Sequence, residues 1–71
     1  MDEKTRERYF RISMALSTDA LSQLGISHLK WLLETQPDPV AFCEMKLERP
    51  GYTTVPEAYE ELLGVLRKEK R

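Results

Sequence analysis

Apolar residues recur every three or four positions along most of the chain, which is the period of an α-helix. In the first segment they place one side of a helix at Tyr9, Ile12, Leu16 and Ala20, with an adjoining stripe at Phe10, Met14 and Leu21. The pattern predicts a helix from about Glu3 to Leu16, or on to Leu24 if it is continuous. We favour a break at Ser17-Thr18-Asp19, because these side chains compete for backbone hydrogen bonds and suit a helix cap.

A glycine turn follows, within the segment Leu24-Gly25-Ile26-Ser27. Gly25 can adopt the left-handed conformation that ends a helix, and Ser27 can cap the next one. Ile26 and Trp31 have the spacing of a hydrophobic staple across that cap. The next helix should reach about Thr35 and place its core face at Leu29, Leu32 and Leu33.

Prolines punctuate the second half of the chain. Asp38 as cap and Pro39 at the first helical position predict a helix over about Pro39 to Leu47. The last helix should begin with a capping box between Thr54 and Glu57, with Pro56 in its first turn. Its core face is predicted at Val55, Ala58, Tyr59, Leu62 and Leu66, flanked by Leu63 and Val65.

No stretch alternates long enough for a strand, since the one candidate, 52–55, is short. The sequence therefore predicts an all-α fold, a compact bundle of four or five short helices. With 71 residues the chain should form a single helical domain over 1–71, and we expect its basic C-terminal tail, 67–71, to fray. A core this small gives only a few kcal/mol of stability, so partner binding or dimerisation would matter to it.

Charge adds one constraint. The chain is 32% charged, yet its net charge is only −1, which is a poor starting point for wrapping nucleic acid. The middle of the sequence is acidic and both ends are basic. We interpret this asymmetry as a solvated surface biased by helix dipoles, with a basic or zwitterionic protein partner as the functional alternative.

Residues that could carry catalysis are few. The single histidine, His28, has no neighbouring carboxylate in sequence, and the single cysteine, Cys43, is typical of a small buried hydrophobe. Glu57, Glu60 and Glu61 lie on one helix without a second set of metal ligands, so a solvated face is expected. We expect no enzyme activity, cofactor or metal. No signal peptide or membrane span is recognisable, which favours the cytoplasm.

The corner at Gly25 resembles a helix-turn-helix motif, in which the second helix enters a DNA groove. That resemblance implies a small DNA-binding regulator. Its contacting residues would be His28, Lys30, Lys4, Arg8 and Arg11. The following helix is rich in leucine and poor in base-reading residues, so this function is the second choice and we expect no sequence-specific nucleic-acid binding.

Protein binding is the first choice, because two helices carry apolar residues on faces that one core cannot absorb. Trp31 lies opposite Leu29 and Leu33, and Phe42 and Met45 lie away from the apolar face of their helix. If these side chains are packed on both sides they are core; if partly exposed together, they have the composition of an interface hot spot. We expect a non-catalytic module, a regulator or inhibitor, that docks on a larger protein or on a second copy. The partner-binding residues are predicted to be Trp31, Phe42, Met45 and Tyr52.

Overall fold

A computed structural model describes residues 2–49, 51 and 55–69. These residues form five helices and no strand. In chain order the helices are α1 (Glu3–Ala15), α2 (Thr18–Leu24), α3 (Ile26–Thr35), α4 (Pro39–Glu48) and α5 (Pro56–Glu69). The all-α bundle predicted from apolar spacing is confirmed.

The caps explain where three of the helices start. Asp2 accepts a hydrogen bond from the Thr5 backbone N–H at 2.7 Å, at the start of α1. Ser17 Oγ accepts one from the Ala20 N–H at 3.1 Å, which confirms the break between α1 and α2. The predicted cap at the start of α4 is also confirmed, since the Ala41 N–H donates to Asp38 at 3.2 Å.

The predicted start of α3 is wrong by two residues. Gly25, with a φ of +85°, is both the C-cap of α2 and the N-cap of α3. Its N–H donates to the Leu21 carbonyl, while its own carbonyl accepts from the Leu29 N–H. Because one glycine performs both functions, Ser27 is not the cap, and Ile26 lies inside the helix where no staple across a cap can form. The predicted capping box of α5 depends on Thr54, which lies outside the described residues.

The core is organised around α5, which packs against α4, α2 and α1. Its buried face consists of Ala58, Tyr59, Leu62, Leu63 and Leu66. The prediction is confirmed for all but two positions: Leu63, predicted to flank the face, is buried, and Val55, predicted within it, is only partly buried. The other helices cover this face with Ile12, Leu16, Ala20, Leu24, Leu29, Leu32, Leu33 and Cys43. Each fully buried aliphatic side chain in such a core contributes about 1.5–3 kcal/mol of transfer free energy.

Two carboxylates of α5 tie it to the first two helices. Glu61 accepts hydrogen bonds from the backbone N–H of Ser17 at 2.6 Å and from its hydroxyl at 3.1 Å. Glu69 accepts from Arg8 at 2.7 Å and from Arg11 at 3.1 Å. Glu61 therefore links α5 to the start of α2 in addition to facing solvent. α5 itself continues into the basic C-terminal segment, as far as Glu69.

Candidate interaction surfaces

Aromatic rings from three helices meet on one side of the bundle. His28 and Trp31 of α3 are stacked, with ring centroids 5.6 Å apart. Phe42 of α4 meets Trp31 edge-on at 5.8 Å, and Tyr59 of α5 contacts both His28 and Phe42. We call this set, together with Met45 one turn beyond Phe42, the aromatic surface.

The exposure of the side chains in the aromatic surface increases from the core outward. Tyr59 is only 5% exposed and belongs to the core, while His28 and Phe42 are half-buried. Trp31, at the outside, keeps 45% of its surface exposed, and Met45 is exposed to a similar degree. The rings thus form a continuous series of contacts from the core to Trp31. The indole of Trp31 and the thioether of Met45 are the exposed groups of this surface.

A hydrogen bond anchors the inner end of the stack. His28 Nε2 lies 2.7 Å from the Tyr59 hydroxyl, between α3 and α5. Burial, and secondly the Lys46 ammonium, lower the pKa of His28 from its ordinary value of 6.5. A neutral imidazole is therefore favoured, which can exchange a hydrogen bond with a phenol at little electrostatic cost. Burial, and secondly Cys43, raise the pKa of Tyr59, so the phenol stays protonated.

The remaining groups near this surface do not supply a reactive nucleophile. Cys43 is fully buried, and burial together with Glu44 raises the pKa of its thiol to about 11, so the thiolate is scarce at neutral pH. Lys46 lies with its ammonium 5.6 Å from the Phe42 ring centroid, in a cation–π contact. Among the described residues no group of three or more histidine, cysteine, aspartate or glutamate side chains could hold a metal ion.

The structure places the predicted partner-binding residues as follows. Trp31 and Phe42 are in ring contact although eleven positions separate them, and Met45 is exposed on the same helix as Phe42. Tyr52 lies outside the described residues. Sequence reasoning missed His28 and Tyr59 as members of this surface. The only available signal was that His28 and Trp31 are three positions apart, hence neighbours on one helix face.

A second apolar surface lies between α1 and the α2–α3 corner. It is a depression of about 680 Å³, which we call the α1 groove, lined by Tyr9, Ser13, Met14, Thr18, Leu21, Ser22, Gly25, Ile26 and Ser27. A neighbouring depression of about 560 Å³ shares Tyr9 and Ile26 with it and adds Arg6, Phe10, Lys30 and Glu34. Met14 is 85% exposed, and Phe10 and Ile26 are each more than half exposed.

The basic residues of the helix-turn-helix interpretation are dispersed and mostly engaged. Arg8 and Arg11 pair with Glu69, and the Lys30 ammonium lies 5.4 Å from the Tyr9 ring centroid. His28 faces Tyr59 within the aromatic surface. Lys4 is exposed near the start of α1. The two helices joined by Gly25 do exist, but these five side chains do not form one basic face along α3.

Comparison with protein-family models, with curated proteins and with solved structures finds no match for this chain. Within the described part of the chain, no helix has the length and apolar character that crossing a bilayer requires.

Proposed function

We propose that this chain is a non-catalytic protein-binding module that docks on a larger protein through the aromatic surface. The observation that carries the proposal is the state of Trp31, which is 45% exposed yet held between the rings of His28 and Phe42. An exposed tryptophan without such contacts would be an isolated apolar residue, which is common on protein surfaces. An exposed tryptophan supported by two further rings is a preformed anchor.

Preformation matters because binding has to offset the entropy of ordering interface side chains, about 0.5–1.5 kcal/mol for each flexible one. Trp31 is already ordered before a partner arrives. Met45, exposed on α4 one turn beyond Phe42, is flexible and polarizable, so it can adapt to the partner's shape. The chemistry of this surface suits a partner with a concave apolar pocket for the indole, and a regulator or inhibitor acts by filling such a pocket.

Binding assays on Trp31 variants test this proposal. Tagged protein is used to capture partners from an extract of the source cells, and the affinity of the captured partner is then measured with purified components. Trp31→Ala should weaken binding roughly thirtyfold, which corresponds to about 2 kcal/mol for a hot-spot tryptophan. Phe10→Ala is the matched control, because Phe10 is an equally exposed aromatic residue on the other surface.

Each result has a defined meaning. Loss of binding in folded Trp31→Ala with retention in Phe10→Ala supports docking through the aromatic surface. Equal binding by both variants and the wild type contradicts it. If the protein instead self-associates, and sedimentation shows that Trp31→Ala abolishes the dimer, the partner is a second copy of the chain.

DNA binding is the competing function, and the observations favour it less. Two of its five residues, Arg8 and Arg11, are paired with the same carboxylate, Glu69, and His28 is turned toward Tyr59. We expect no sequence-specific binding at physiological salt. A gel shift that resists competitor DNA at that salt, and that Lys30→Ala abolishes, would reverse this ranking. The single cysteine, which cannot form an intramolecular disulfide, supports a reducing compartment such as the cytoplasm as part of the proposal.

A further inference from the structure

The α1 groove is lined by uncharged residues in a chain that is rich in charge. Nearly a third of the chain is charged, yet none of the described residues that line the main depression carries a charge. Its floor and walls are apolar side chains, with serine and threonine hydroxyls interspersed. Met14 lies at the rim with 85% of its surface exposed. A monomer gains nothing from so exposed an apolar side chain beside an apolar depression.

The two depressions together follow α1. Arg6 and Phe10 line the neighbouring depression and Met14 lines the α1 groove, and these three residues span about 12 Å along α1 at the rise of an α-helix. Two turns of a second helix cover about the same length, so apolar residues at its positions i, i+4 and i+7 could follow the groove.

Charge is concentrated at one end of the surface. The neighbouring depression there is bordered by Arg6 and Lys30 and by a single carboxylate, Glu34. Among the described residues no carboxylate lies within ion-pair distance of Arg6 or Lys30, and the Lys30 ammonium lies 5.4 Å from the Tyr9 ring centroid. The neighbouring depression is therefore net positive, whereas the residues that line the α1 groove are uncharged.

We propose that the α1 groove binds an amphipathic helix of a partner protein, with the apolar stripe of that helix in the groove and acidic residues at its end near Arg6 and Lys30. The site is separate from the aromatic surface and does not depend on Trp31. A module with both sites would join two different partners. Electrostatic complementarity at the positive end sets the direction of the bound helix.

The test uses a surface-display library of helical peptides of about fourteen residues, roughly four turns. Stripe positions vary among leucine, isoleucine, methionine and phenylalanine, and terminal positions vary among glutamate, glutamine and lysine. The library is sorted with labelled full-length protein and then counter-sorted with Met14→Asp. Because Met14 is exposed, this substitution should leave the fold intact, which circular dichroism checks. Trp31→Ala is the control for the other surface.

Supporting clones bind the wild type and Trp31→Ala but not Met14→Asp, and carry glutamate at one end. For such a clone, Arg6→Glu should weaken binding about tenfold and Glu34→Lys should strengthen it by a similar factor. The proposal is overturned if no clone requires Met14, or if glutamate and lysine clones bind equally well. It is also overturned if sedimentation shows a dimer that Met14→Asp abolishes, because the groove then binds a second copy.

Discussion

The aromatic surface and the α1 groove are both apolar and exposed, but they differ in what lies beneath them. Trp31 is connected by ring contacts and one hydrogen bond to Tyr59, a core residue of α5. Met14 and Ile26 both line an open depression, and neither is part of the core. The first surface is ordered by the fold, whereas the second has the shape of a site that a ligand would complete. Substitutions at the first surface should therefore affect stability as well as binding, and those at the second should affect binding alone.

The largest expected difference is between the buried ring of the aromatic surface and the exposed side chain at the rim of the α1 groove. Tyr59→Ala removes a buried ring from the core and should reduce the free energy of unfolding by about 3–5 kcal/mol, enough to unfold a domain of this size. Met14→Ala removes an exposed side chain and should change it by less than about 0.5 kcal/mol. Urea denaturation followed by circular dichroism measures both. Similar losses in the two variants would mean that the α1 groove is as much part of the core as Tyr59.

Truncation of the outer ring should have an intermediate effect. Trp31→Ala removes one stacked and one edge-on ring contact from a half-exposed side chain, and should cost about 1–2 kcal/mol of stability. The variant should stay folded, with an unchanged helical spectrum at room temperature. A loss as large as that of Tyr59→Ala would show that Trp31 is a core residue and would remove it from the binding proposal.

The hydrogen bond between His28 and Tyr59 should contribute less to the free energy of unfolding than the ring contacts of Trp31 do. Its contribution should depend on pH. Tyr59→Phe deletes the hydroxyl and is expected to cost about 1 kcal/mol at neutral pH. The folded state lowers the pKa of His28, so below the ordinary value of 6.5 the unfolded chain binds the proton more readily. Stability associated with His28 is therefore complete above that pH and is lost as the pH falls.

The control for this pH effect is His28→Gln, which keeps a hydrogen-bonding side chain but cannot titrate near neutrality. The free energy of unfolding of both proteins is measured from pH 8 to pH 5. As the pH falls, the wild type should lose more of this free energy than the variant does. A difference that does not vary with pH would mean that His28 titrates alike in the folded and unfolded states.

The smallest expected effect is a gain at a site that belongs to neither surface. Gly64 is an exposed helical residue of α5, and a Cβ placed there would meet no atom within 4 Å. Gly64→Ala should increase the free energy of unfolding by about 0.5–1 kcal/mol through helix propensity alone. A rise in melting temperature would provide a stabilised background in which the surface variants can be compared. A fall in melting temperature would show that another chain packs closely against α5 at Gly64, because the monomer leaves this position open.

Local chemistry was the most predictable part of this protein. The caps at Ser17 and Asp38 and the buried face of α5 follow from side-chain type and spacing within a few residues of each other. The start of α3 was mispredicted for a local reason as well. Gly25 is the C-cap of one helix and the N-cap of the next. A sequence pattern that assigns one function to each residue does not predict such a shared cap.

The two proposed binding surfaces were predictable only in part. The apolar residues on two faces of α3 and α4 left open whether Trp31, Phe42 and Met45 are core or interface, and the structure leaves Trp31 and Met45 about half exposed. The pairing of His28 with Tyr59 joins residues 31 positions apart, and no periodicity reports such a contact. Phe10 and Met14 belonged to a predicted apolar stripe, but nothing in the stripe indicated that it would border a groove.

The sequence by itself determined that the chain forms helices, approximately where they begin and end, and which face of α5 is buried. These features arise from interactions within one or two helical turns. Only the tertiary structure decided which leftover apolar residues meet, because the order in which helices pack around α5 sets distances between residues far apart in the chain. Trp31 thereby obtained two supporting rings, while Met14 was left beside an open groove.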